Sequence, residues 1–109
     1  MVKRNAATET PYYPLNLDLR DVAVLVVGGG AVALRKAKGL AVAGARLTAV
    51  ARSFSAGWRR LAGVRRVRRA FRAGDLRGQR IVLAATDDLG LNREIARLAR
   101  GRNCWVNVA

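Results

Sequence analysis

The chain has 109 residues, 51% of them hydrophobic, which suits one folded domain with one core. It has no histidine and a single cysteine, Cys104, so a His-based zinc site, a His general base and an internal disulfide are all excluded within it. Its formal net charge is +14, and no apolar run is long enough to span a bilayer, so no membrane partner is expected.

Residues 1–11 read as a flexible polar tail, and residues 12–109 as one domain. Lys3 and Arg4 are present near the start, but Met1–Pro14 have no apolar stretch of the kind a secretory leader needs; with one cysteine, a cytoplasmic setting is expected. Tyr12–Leu19 is a short lead-in with alternating apolar positions. Val22–Val27 is apolar throughout, as in a strand covered on both faces of a parallel sheet. Ala31–Ala43 has helical spacing at Leu34, Ala37, Leu40 and Ala41, and Gly44 is placed to end the helix. Leu47–Ala51 is the second strand, and Ser55 is placed to cap a short helix through about Ala62. Val64–Phe71 has the spacing of a third strand, with Arg65, Val67 and Arg69 on one side. A turn or short helix over Asp75–Gln79 leads to a fourth apolar strand, Ile81–Ala85. Asp88 is a candidate N-cap for a helix over Leu89–Arg100, and Trp105–Val108 begins a fifth strand.

Strands alternating with helical segments predict an α/β fold. A Rossmann-like parallel five-stranded sheet is expected, in the order 3-2-1-4-5, with helices on both faces. The first strand ends in three glycines, Gly28, Gly29 and Gly30, and a helix starts at once. Gly28, Gly30 and Ala33 fall on the G-x-G-x-x-G/A pattern, in which a dinucleotide pyrophosphate meets a helix N-terminus. Gly28 permits the tight turn, Gly30 lets the backbone approach the phosphates, and Ala33 lets the helix pack close to the strand. A tight turn in some other α/β domain is the alternative.

Ligands of such sheets sit beyond the carboxyl ends of the strands, where four loops qualify. The first is the glycine turn. The second carries Arg52 and Ser53, where an NAD site usually has an acidic residue. Arg52 there points to a 2′-phosphate partner, or is one of 18 arginines with no special role. The third is Thr86–Asp88: Thr86 can hydrogen-bond a ligand, Asp87 can serve as a carboxylate acid or base, and Asn92 can support the loop. The fourth is the end of the fifth strand, where Asn107 needs a polar partner in an apolar strand.

Seven arginines crowd between Trp58 and Ala73, at positions 59, 60, 65, 66, 68, 69 and 72. Nucleic acid, an anionic small molecule, or a solvated face with a composition bias would each account for them. Only Trp58 and Phe71 flank the cluster, without the interleaved aromatics of a single-strand platform, and no nucleic-acid partner is expected.

Several segments together resemble a known family: Pro14-Leu15, VLVVGGGAVALRKAKGL, AGARLTAVA, VLAATDDLGLNREIARLAR and WVNV. They are similar to the N-terminal module of siroheme synthase and to its stand-alone relatives, precorrin-2 dehydrogenase / sirohydrochlorin ferrochelatase. The likeness covers about Tyr12–Ala109, and GGGxVAxRKA followed by AATDDxxxN is more specific than the glycine turn alone. It implies oxidation of precorrin-2, an anionic tetrapyrrole, to sirohydrochlorin with NAD, and in many members insertion of ferrous iron to give siroheme. It also implies a homodimer for the full-length protein. By this resemblance Ala31 and Val32 match cofactor contacts in the glycine turn, Arg52 and Ser53 match those after the second strand, and Thr86, Asp87 and Asn107 line the same crevice. The family's strand-two ending is likewise not acidic although its cofactor is NAD, so NAD is the expected cofactor. The family's catalytic aspartate is expected just past Ala109, so no catalytic residue is expected within this chain. The family's dimerisation segment and helical region are expected to be missing, and the chain to be a truncated, inactive form. A non-catalytic nucleotide-binding regulatory module is the alternative.

Overall fold

The computed structural model describes residues 11–109. The tail expected over residues 1–11 lies, apart from Pro11, outside the described residues. In chain order the elements are β1 (Ala23–Val27), α1 (Ala31–Val42), β2 (Arg46–Ala51), β3 (Val64–Arg68), β4 (Ile81–Ala84), α2 (Leu89–Arg100) and β5 (Trp105–Val108). Short 3-10 turns over Ala56–Arg60 and Ala73–Leu76 stand in the β2–β3 and β3–β4 connections. All five strands run parallel in the order β3-β2-β1-β4-β5, as the alternation of elements predicts.

The chain first builds outward from β1 to β2 and β3, then crosses back to β4 and β5. Crossovers of one hand then place the two halves' connections on opposite faces of the sheet. On one face Val24, Val26, Leu47 and Ala49 pack with Ala33, Leu34 and Ala37 of α1 and with Trp58. On the other, Leu25, Val27, Val50, Val82 and Ala84 pack with Ile95 and Ala99 of α2 and with Leu76. Thus β1 is buried on both sides, which is why its sequence is apolar without alternation.

Gly44 ends α1 as its position predicts. At φ +83° its N–H reaches the Ala41 carbonyl at 3.0 Å while the Ala45 N–H reaches Leu40 at 3.2 Å, the paired closure of a Schellman motif. The Asp88 carboxylate caps α2 by accepting from the Leu91 N–H at 3.1 Å.

Several boundaries differ from expectation, most clearly around Ser55 and at the end of β3. Ser55 precedes a 3-10 turn ending at Arg60, and its side chain makes no capping bond. Its N–H is instead drawn to the Gly29 carbonyl at 2.8 Å. β3 stops at Arg68, short of Phe71. Just beyond that end, Arg69 grips Asp75 with two bonds of 2.9 and 2.6 Å, and the Arg72 N–H donates to the same carboxylate at 2.8 Å. The Arg69 guanidinium beside Asp75 holds its carboxyl below the usual range.

Candidate dinucleotide-binding site

The three glycines of the turn after β1 stand in different surroundings. Gly28 sits at φ +131°, and a Cβ on it would lie 2.4 Å from the Ala85 carbonyl oxygen. A Cβ on Gly29 would lie 1.9 Å from the Ser53 carbonyl oxygen. Both positions are demanded by neighbouring backbone. Gly30 has φ −88° and ψ −166°, an extended conformation open to any residue. A Cβ on Gly30 would meet nothing within 4 Å. The fold therefore makes no steric demand for glycine at this position, and the space in front of it is open.

Gly30 is also the N-cap of α1. No side chain caps the helix, and its first turn has no acidic residue. The Leu34 N–H is bonded to the Gly30 carbonyl at 3.0 Å, so the N–H groups of Ala31, Val32 and Ala33 precede the first intrahelical bond. Ala31 and Val32 are exposed, while Ala33 is fully buried against the strand. Donors, a positive dipole end and an open approach thus coincide at one point. The arrangement has the free donors and the open space that an anionic group such as a pyrophosphate requires.

The loop after β2 is laced to this turn. The Gly28 N–H donates to Val50 at 2.9 Å. The Gly29 carbonyl accepts from Ser55 N–H at 2.8 Å and from the indole N–H of Trp58 at 2.9 Å. Trp58 is fully buried, and Phe54 packs edge-on against it with ring centroids 5.2 Å apart. Sequence reasoning treats Trp58 only as a flank of the arginine cluster. The one signal for its role is that a buried indole N–H needs an acceptor. Arg52 and Ser53 are exposed at the mouth, and Ser53 presents its carbonyl to Gly29.

The loop after β4 closes the other side. Ala85 bonds to Val27 through its N–H at 2.9 Å and lays its carbonyl on Gly28. Asn92, buried to 1% exposure, then clamps Thr86. Its side-chain oxygen accepts the Thr86 hydroxyl at 2.6 Å and the Thr86 N–H at 3.2 Å, and its amide donates to the Thr86 carbonyl at 3.0 Å. The Asp88 N–H donates to the same hydroxyl at 3.2 Å, leaving Thr86 one lone pair for a ligand. Asp87 is exposed and forms no ion pair among the described residues.

Asn107 stands apart. It is in register with Leu83 of β4 and is exposed on the edge strand, away from the other candidate residues. Two strand spacings separate it from β1, roughly 10 Å. The structure therefore brings Gly28–Val32, Arg52–Ser53 and Thr86–Asp87 around one turn and leaves Asn107 at the far margin.

Two concavities lie elsewhere. One of about 730 Å³, lined by Arg77, Gln79, Arg80 and Arg102 among others, is at the opposite end of β4 and β5. The other, about 240 Å³, is lined by Phe54, Arg59, Arg66 and Arg68, beside the end of β2. Among the described residues no helix is long and apolar enough to cross a membrane, and no three His, Cys, Asp or Glu side chains are grouped to hold a metal.

Comparison with known proteins agrees with this geometry. A family profile described as "Putative NAD(P)-binding" matches residues 15–109. Siroheme synthase of Tolumonas auensis is 47% identical over 98 residues, covering 89% of this chain and 21% of that protein. Siroheme synthase of Pseudomonas entomophila is 45% identical over 100 residues, covering 89% of this chain and 22% of that protein. The chain thus spans about a fifth of the length of these curated relatives. Among solved structures, SirC, a precorrin-2 dehydrogenase, superposes with a TM-score of 0.77 at 34% identity, over 90% of this chain and 49% of that one. The chain belongs to this NAD(P)-binding family, and within it resembles siroheme synthase and precorrin-2 dehydrogenase.

Proposed function

We propose that the chain is the dinucleotide-binding module of an enzyme that oxidises precorrin-2 to sirohydrochlorin in siroheme biosynthesis. The observation that carries the dinucleotide site is the asymmetry of the glycine turn. Backbone neighbours require Gly28 and Gly29, whereas the fold makes no steric demand at Gly30, which leaves the helix N-terminus open to a phosphate. The names of the similar proteins supply the substrate class.

A bound nicotinamide dinucleotide supplies the hydride acceptor. Gly30, Ala31 and Val32 hold its pyrophosphate through backbone N–H groups. Arg52 and Ser53 face its adenosine half. Thr86 and Asp87 stand toward the half where the tetrapyrrole is oxidised. Asp87 is the chain's own candidate to take a proton there, and Asn107 borders that side. NAD is the dinucleotide that the family resemblance implies. Precorrin-2 carries many carboxylates, and the +14 charge draws such an anion to the protein. Ferrous iron is a candidate substrate of the longer protein, together with a homodimeric assembly and a cytoplasmic location.

Calorimetric titration of the chain with NAD and NADP tests the reading. Saturable binding at one site is expected, and it should be lost in Gly30→Ser, a residue that suits an N-cap and keeps the helix intact. Absence of binding by either dinucleotide, or undiminished binding by the variant, overturns it.

A further inference from the structure

Between Val22 and Gly74 the chain has no acidic residue at all, yet it has 12 Lys and Arg. This span includes the whole β1–β2–β3 half of the sheet. The acidic side chain that usually holds the adenosine ribose hydroxyls after β2 is therefore absent from the entire half of the fold that would supply it. In its place Arg52 stands at the end of β2, and the 240 Å³ concavity beside it is lined by Arg59, Arg66, Arg68 and Phe54.

The register shows where this concavity lies. Arg68 pairs with Ala51, the last residue of β2, and Arg66 pairs with Ala49. One strand spacing, roughly 5 Å, separates β3 from β2. Arg66 and Arg68 alternate with Arg65 and Val67, so they share the face that holds α1 and Trp58. The pocket is also tied mechanically to the glycine turn. Phe54 packs on Trp58, and the Trp58 indole donates to the Gly29 carbonyl.

These guanidinium groups differ from Arg69, which follows them in the chain. Arg69 is occupied by Asp75. Arg52, Arg59, Arg66 and Arg68 form no ion pair among the described residues. Three arginines converging on one concavity repel each other, and a doubly charged phosphate relieves that repulsion.

Resting on the dinucleotide reading above, we propose that this pocket seats the adenosine 2′-phosphate, and that the chain prefers NADP to NAD. The adenosine ribose lies past the end of β2, with Arg52 beside it and its 2′-phosphate toward Arg66 and Arg68. This goes beyond the NAD that the family resemblance implies: the lack of an acidic residue after β2 is shared with that family, and it is the added guanidinium groups of Arg66 and Arg68 beside the end of β2 that favour a 2′-phosphate.

The test compares NAD and NADP affinities by calorimetry for the unaltered chain, for the double variant Arg66→Ala with Arg68→Ala, and for Arg65→Ala. All three positions are exposed on an edge strand, and a thermal melt checks that each variant is folded. Arg65 carries the same charge on the opposite face and controls for the general field of the protein. NADP is expected to bind about tenfold or more tighter than NAD to the unaltered chain. The double variant is expected to lose that advantage with NAD affinity unchanged, and Arg65→Ala to retain it. NAD binding with no NADP advantage overturns this proposal alone. So does an equal loss for both dinucleotides in the double variant, or an equal loss in Arg65→Ala. Failure of both dinucleotides to bind overturns the underlying dinucleotide reading and this proposal with it.

Discussion

The loop after β1 and the loop after β4 face the same crevice and are held by opposite means. The glycine turn is held by the absence of side chains. Its backbone lies so close to Ser53 and Ala85 that no Cβ fits at Gly28 or Gly29. The loop after β4 is held by the presence of one side chain, the buried amide of Asn92, which satisfies all three polar groups of Thr86. The first device is steric and has no tolerance, because backbone cannot yield locally without moving β2 and β4. The second is a set of hydrogen bonds at a half-buried residue, where water can partly replace what is lost.

That contrast can be broken or sharpened by experiment. Gly29→Ala should be the most damaging single change, destabilising the fold by about 3–5 kcal/mol in urea unfolding, since the new methyl group overlaps the Ser53 carbonyl. A near-neutral result would show that the β2 loop can move away. Asn92→Ala should cost about 2–3 kcal/mol and speed hydrogen exchange at the Thr86 amide, leaving the glycine turn protected. If exchange rises equally at Gly28, the two loops are one cooperative unit and the contrast fails.

A third latch, Arg69 with Asp75, closes the connection between the two halves and is the one that acid should open. The Asp75 carboxyl is held below its usual range, first by the Arg69 hydrogen bonds. Its contribution to stability is therefore fully present above the unfolded value near 4 and is lost as pH falls through the folded value. Asp75→Asn should flatten that part of the stability curve below about pH 4. An unchanged acid limb would remove Asp75 from the account. Gly30→Ser should have the smallest effect on folding, within about 0.5 kcal/mol, while it abolishes dinucleotide binding. That separation of stability from binding is what distinguishes Gly30 from Gly28 and Gly29.

The strand order and both helices were legible in the residues because a parallel sheet buried on both faces needs continuous apolar strands, as in Val24–Val27. Asp88 and Gly44 were legible as helix ends because capping is local chemistry. The end of β3 was not. Val64–Phe71 keeps a strand-like pattern, yet the strand stops where Arg69 finds Asp75, six residues on. Ser55 stands at the N-cap position that its residue type predicts, but its hydroxyl makes no capping bond; what holds it is its N–H on the carbonyl of Gly29, a residue far away in the chain.

Sequence alone thus determined the parallel fold, the glycine turn and the loops that can face a ligand, since each follows from periodicity or from local backbone chemistry. Only the tertiary structure decided which glycine the fold itself does not need, that Arg66 and Arg68 lie on the face that holds α1, and that Trp58 ties the β2 loop to the glycine turn, while it gave the Asn92 support expected for the loop after β4 its bonds. These depend on distances between residues remote in sequence, such as Gly29 to Ser53 and Gly29 to Trp58, which no local pattern encodes.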